Sequence, residues 1–129
     1  MISFQAFRQT DGTPIYLQII RYIQQGLAAG TIRDGDELPS RRVLSALLAV
    51  NPNTVQKAFR LLEDEGLVTS RAGAKSYIQA TPEQIAALRR ELLETEMQAM
   101  VDAARRMGLT REDAHRLLDT LYDREGTDA

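Results

Sequence analysis

The sequence predicts a mainly α chain of the α+β class, a winged helix-turn-helix followed by a two-helix C-terminal extension. Three observations predict it. Between Glu37 and Val68, two short segments with three-and-four apolar spacing meet at a tight break, Ala49-Val50-Asn51-Pro52. Directly after the second segment, apolar residues alternate on both sides of Ala72-Gly73-Ala74, the pattern of a β-hairpin. Beyond Ala80 the helical spacing resumes and holds almost to the end.

Each element follows from its residues. Residues 1–12 form an N-terminal arm, and residues 13–80 the winged domain. Thr13-Pro14 caps a first helix that carries Ile15, Ile19, Ile20, Ile23 and Leu27 and stops at Gly30. Pro39 and Ser40 open a second, because Ser is a favoured N-cap and Pro cannot continue a helix backwards. Its expected buried face is Val43, Leu44, Leu47 and Leu48. Asn51 as N-cap and Pro52 at the first helical position start a third helix. Val55, Ala58, Phe59 and Leu62 are its inner face, and Gly66 ends it. Asn53, Thr54, Gln56 and Lys57 are left outward on its first turns. Amides, a hydroxyl and a cation are the groups that meet base edges and phosphates in a major groove. Leu67–Arg71 and Lys75–Gln79 are the strands of the wing, with Arg71 and Lys75 flanking its tip.

Residues 81–129 read as a helical dimerisation extension. Thr81-Pro82-Glu83-Gln84 is a capping box, and the helix it opens can run to about Met107, with Gly108 as its stop. Ile85, Leu88, Leu92, Ala99 and Ala103 make one apolar row; Leu93, Met97, Met100, Ala104 and Met107 make another. A band that wide should touch both the winged domain of its own chain and a second chain. Thr110 caps a last helix whose inner face is Ala114, Leu117, Leu118 and Leu121. The expected dimer contacts are Leu88, Leu92, Met97, Met100, Leu117 and Leu121.

Composition narrows the function. There is no cysteine, which removes disulfides and thiolate metal sites and fits a reducing cytoplasm. No signal sequence opens the chain, and no apolar run approaches the roughly 20 residues a membrane span needs, so no membrane partner is expected. The net charge of −2 hides an asymmetry. Residues 1–80 hold 9 Lys/Arg against 7 Asp/Glu, net +2, whereas residues 81–129 hold 7 against 11, net −4. The mild positive balance falls on the winged domain, so tight binding to a polyanion would rely on the doubled contacts of a dimer. An enzyme is not expected: there is no nucleophile–base pair, no Gly-rich phosphate loop and no metal-ligand spacing. His115, the only histidine, reads as structural or simply exposed, and no cofactor or metal is implied.

From Pro14 to Ile78 the chain resembles the DNA-binding domain of GntR-type bacterial transcription regulators. The residues that carry the resemblance are Pro14-Ile15-Tyr16-Leu17-Gln18, then Gly35-Asp36-Glu37-Leu38-Pro39-Ser40 with Arg42, then Asn51-Pro52-Asn53-Thr54-Val55, and Leu62-Glu63 with Glu65-Gly66-Leu67-Val68. The Asn-Pro-Asn-Thr variant and the short tail are similar to the YtrA-type subfamily. The resemblance implies a cytoplasmic, nucleoid-associated homodimer that represses its own or a neighbouring operon, often one for an ATP-driven transporter. It implies a phosphate contact for Arg42 and an inverted-repeat operator. The DNA-facing set is then Ser40, Arg41, Arg42, Asn51, Asn53, Thr54, Gln56, Lys57, Arg71, Gly73 and Lys75. Asn51 can combine capping with a phosphate contact. Glu63-Asp64-Glu65 is expected to be a solvated helix end facing away from DNA. The wing departs from the family pattern, since Ala72 replaces its second basic residue and Lys75 its second glycine; a phosphate contact from Lys75 would stand in for a backbone one. Two tail helices are too few to enclose a pocket of ordinary size, so no dedicated small-molecule effector is expected. An inducer, if one exists, would sit among Met97, Met100 and Met107 in a dimer cleft. The competing reading is a winged-helix protein-docking module, against which the polar first turns of the third helix argue.

Overall fold

A computed structural model of the chain describes residues 1–71 and 75–128. Its elements are α1 (Ile15–Ala29), α2 (Arg41–Leu48), α3 (Pro52–Asp64), β1 (Val68–Arg71), β2 (Lys75–Ile78), α4 (Pro82–Arg106) and α5 (Arg111–Asp128). The residues fall into two compact units, Met1–Arg90 and Glu91–Ala129, and the division lies within α4.

Local chemistry accounts for the helix ends of the first unit. Ser40 accepts the Val43 N–H on its hydroxyl at 3.1 Å, and Asn51 Oδ1 accepts the Asn53 N–H at 2.8 Å, so each satisfies a donor that the first turn leaves over. α3 ends where Gly66 takes φ 79°, which lets the Gly66 and Leu67 N–H groups turn back onto Glu63 O and Leu62 O. α2 ends the same way, but with Ala49 in the left-handed conformation at φ 55°. The start of α1 differs from the expected threonine cap. Pro14 is the N-cap residue and makes no side-chain cap bond. Instead Gln18 reaches back, donating Nε2 to the carbonyls of Thr13 and Thr10 and accepting the Thr10 N–H on Oε1.

The core of this unit forms where α1, α2 and α3 meet. Ile19, Ile23, Leu27, Leu44, Val55, Phe59 and Leu62 are fully buried there, joined by Leu38 and Ile78 from the side of the wing. Each large side chain buried in this way contributes roughly 1.5–3 kcal/mol by leaving water. The inner face of α3 is the expected one. On α2 the expectation holds only for Leu44 and the half-buried Leu48, whereas Val43 and Leu47 are 54% and 63% exposed. An eight-residue helix packed along one line buries a narrow stripe, and positions 43 and 47 fall outside it.

Residues 1–12 are not a free arm. Ile2, Phe4 and Phe7 are buried. Phe4 stacks on Tyr22 of α1 at 4.8 Å between ring centroids, Phe7 meets the same ring edge-on at 5.5 Å, and the Tyr22 hydroxyl donates to Ser3 O. α4 also contributes: Ile85 and Leu88 pack on the core of this unit. Leu88, half-buried, thus packs on its own winged domain.

β1 and β2 pair antiparallel in the register Val68↔Ile78, Thr69↔Tyr77, Ser70↔Ser76 and Arg71↔Lys75. Val68, Ser76 and Ile78 face the core, and Arg71, Lys75, Thr69 and Tyr77 share the other face. A third segment lies along β2: Leu38 N–H donates to Ser76 O, Ile78 N–H to Asp36 O, and Gly35 N–H to Ile78 O. Glu37 and Tyr77 form a bridge there.

In the second unit, Leu92, Ala103 and Ala104 of α4 and Ala114 and Leu118 of α5 are half-buried. The turn between the helices is closed by bonds from Gly108 N–H to Arg105 O and from Leu109 N–H to Ala104 O, and Thr110 caps α5 through the Asp113 N–H. The capping box at the start of α4 is formed in both directions between Thr81 and Gln84.

Candidate nucleic-acid interface

The buried stripe of α3 fixes what its other side presents. With Val55, Ala58, Phe59 and Leu62 inward, Asn53, Gln56, Lys57 and Arg60 form an exposed row on the opposite face. Thr54 is half-buried, which leaves its hydroxyl less reach than its neighbours' side chains. Asn51 uses Oδ1 for the cap, so its amide NH₂ is the part of that side chain left to donate outward. Ser40 and Arg42 are exposed at the start of α2, and the Ser40 hydroxyl, which accepts in the cap, retains its proton to donate. Arg60 was not among the residues singled out from the sequence. The signal for it was available, since it lies three residues beyond Lys57 and four beyond Gln56.

Arg41, expected to face outward, is engaged within the chain. Its guanidinium bonds Glu63 Oε1 at 3.1 Å and lies 5.1 Å from the centre of the Phe59 ring, while its Nε is buried without a hydrogen-bond partner. The same Glu63 oxygen accepts from the Ser70 hydroxyl at 2.8 Å. Arg41 thus ties α2 to α3 and, through Glu63, to Ser70 of β1. Glu63 is correspondingly no solvated helix end, and Glu65 accepts from Gln24 of α1 at 3.2 Å.

Two further cations, both exposed, are held against aromatic rings. Lys57 Nζ lies 4.0 Å from the centre of the Tyr16 ring in α1, and the Arg71 guanidinium lies 4.5 Å from that of Tyr77 in β2. Arg71 and Lys75 are directly paired across the hairpin, an unfavourable arrangement of like charges that a bound anion would relieve. Gly73, the expected turn residue of the wing, lies outside the described residues.

Three helices, a polar outer row on the third, and a cationic hairpin beside it define a winged helix-turn-helix of the DNA-binding kind. The family model of bacterial regulatory proteins, gntR family, matches residues 15–78. The chain is 34% identical over 100 residues to the uncharacterized HTH-type transcriptional regulator YhcF of Bacillus subtilis, covering 78% of this chain and 83% of that one. To the HTH-type transcriptional repressor YtrA of the same organism it is 43% identical over 68 residues, 53% of this chain and about half (52%) of the repressor. A solved GntR family transcriptional regulator from Listeria monocytogenes superimposes with a TM-score of 0.79 at 28% identity, covering 87% of this chain and 98% of that one. The chain belongs to the GntR family and is similar to its short YtrA-type members; it is a DNA-binding transcription regulator and not an enzyme. No helix among the described residues is long and apolar enough to cross a membrane.

Proposed function

We propose that this chain is a homodimeric, sequence-specific repressor that binds an inverted-repeat operator, with one α3 in the major groove of each half-site. The observation that carries the reading is the exposed row of Asn53, Gln56 and Lys57 on a helix whose other face is fully buried. Such a helix is rigid, and its polar groups are held for an outside partner. Arg42, Lys57 and the wing pair Arg71 and Lys75 would neutralise phosphates, while Asn53 and Gln56 meet base edges. The description of the YtrA relative as a repressor supports the sign of the regulation. Its neighbouring operon is the first place to look for a target.

The second unit supports the dimer. Leu93, Met97, Met100, Leu117 and Leu121 are 40–54% exposed there, large apolar side chains of the kind that mark an interaction surface when they cluster. No dedicated small-molecule effector is proposed. A gel shift with the DNA preceding the chain's own gene tests the reading, alongside sedimentation at micromolar concentration. We expect a saturable complex, a dimer, and a monomer for Met100→Glu with Leu117→Glu that binds far more weakly. Absence of a shift, or a monomeric wild-type chain, overturns it.

A further inference from the structure

We propose that Tyr16 and Tyr77 are positioning residues for DNA binding, each an aromatic rest that holds a phosphate-seeking cation in place before DNA arrives. The inference rests on the DNA-binding reading of the interface. Its basis is that each of two elements presents the same arrangement. Lys57 projects from α3 and its Nζ comes to 4.0 Å from the centre of the Tyr16 ring; Arg71 projects from β1 and lies 4.5 Å from that of Tyr77. Both tyrosines are half-buried, so their rings are fixed by packing, while both cations are exposed. Tyr16 belongs to α1, so Lys57 is steadied from a neighbouring helix and not by its own.

The contrast with Arg41 gives the arrangement its meaning. Arg41 also lies over a ring, Phe59, but Glu63 neutralises it. Among the described residues, neither Lys57 nor Arg71 has a carboxylate partner. The face of an aromatic ring attracts a cation through its quadrupole without cancelling the charge. A lysine or arginine resting there keeps its full attraction for phosphate and its outward N–H donors. It has also already lost much of the rotamer freedom that binding would otherwise remove. A carboxylate in the same place would hold the side chain equally well but would repel the DNA.

The test uses the full-length chain and two probes, the duplex preceding its own gene and a random-sequence duplex at low salt. Phosphate contacts act on both. Tyr16→Leu keeps an apolar side chain but removes the ring face and should weaken binding to both duplexes by about two- to fivefold, while Tyr16→Phe, which keeps the ring face, should bind like wild type. With Lys57→Gln already present, Tyr16→Leu should have no further effect. The corresponding set at Tyr77 and Arg71 should behave the same way. In the free protein, the Lys57 ε-methylene protons should resonate upfield from ring shielding and return to ordinary positions in Tyr16→Leu. Wild-type affinity in the Leu variants, or an equal loss when Lys57 is already gone, overturns the inference while leaving DNA binding intact. Ring-shifted lysine protons in a wild-type chain that binds neither duplex would instead overturn the DNA-binding reading, and the positioning role with it.

Discussion

Replacing Arg41 by methionine tests whether this arginine acts within the fold or, as proposed for Arg42, on a phosphate. Methionine retains the apolar stem over Phe59 and removes the guanidinium that bonds Glu63 at 3.1 Å. The two side chains are 26% and 33% exposed, so the pair lies between a surface ion pair, worth about 0.2–1 kcal/mol, and a buried one whose breakage costs about 3–5 kcal/mol. Glu63 keeps the Ser70 hydroxyl bond and part of its hydration, which limits the penalty of its lost partner. Removing the unbonded, buried Nε offsets some of the loss. A net destabilisation of about 1 kcal/mol results, or roughly 4–8 °C in Tm for a domain of about 90 residues. Thermal unfolding at fixed protein concentration measures it, and the difference should shrink in high salt because the pair is partly solvated. In parallel, the slope of log affinity against log salt should be unchanged in Arg41→Met and shallower by about one unit in Arg42→Met. An unchanged Tm together with a slope lowered as much as in Arg42→Met would refute this assignment of Arg41.

The backbone offers two further tests, both read by chemical denaturation. Ala49→Gly should stabilise the chain by up to about 1 kcal/mol, since the left-handed conformation at φ 55° is strained for alanine and open to glycine. Gly26→Ala should destabilise it by about 1–3 kcal/mol, because a Cβ there would sit 2.4 Å from Ile32 Cδ1 and 2.6 Å from its Cγ1, and the buried Ile32 has little room to yield.

What the sequence made legible was written in local chemistry. Ser40, Asn51, Thr81 and Thr110 mark helix starts through bonds that span two or three residues, and Gly66 and Gly108 mark stops in the same way. The inner face of α3 was legible because thirteen residues define a stripe well. The eight residues of α2 do not, and Val43 and Leu47 were misplaced for that reason. Long-range partnerships carried no local trace. Nothing near Arg41 in the sequence announces Glu63, 22 positions away, so its charge read as available to DNA. The arm's Phe4 and Phe7 meet Tyr22 only after α1 has been placed, and the cations over Tyr16 and Tyr77 depend equally on tertiary packing.

The segment that runs beside β2 has a consequence for how the wing behaves when it is not on DNA. A two-stranded hairpin is marginal by itself and offers unpaired N–H and C=O groups along each side, a template for a stray strand from another molecule. Here the amide of Ile78 and the carbonyls of Ser76 and Ile78 are taken up by Asp36, Leu38 and Gly35. One border of the hairpin is thereby sealed within the same chain, next to the Ile2 N–H, which bonds Glu37 O. Amide exchange should therefore be slow at Ile78 and Leu38 and fast toward Lys75. The β2 border of the wing's base is thereby withheld from strand-by-strand aggregation.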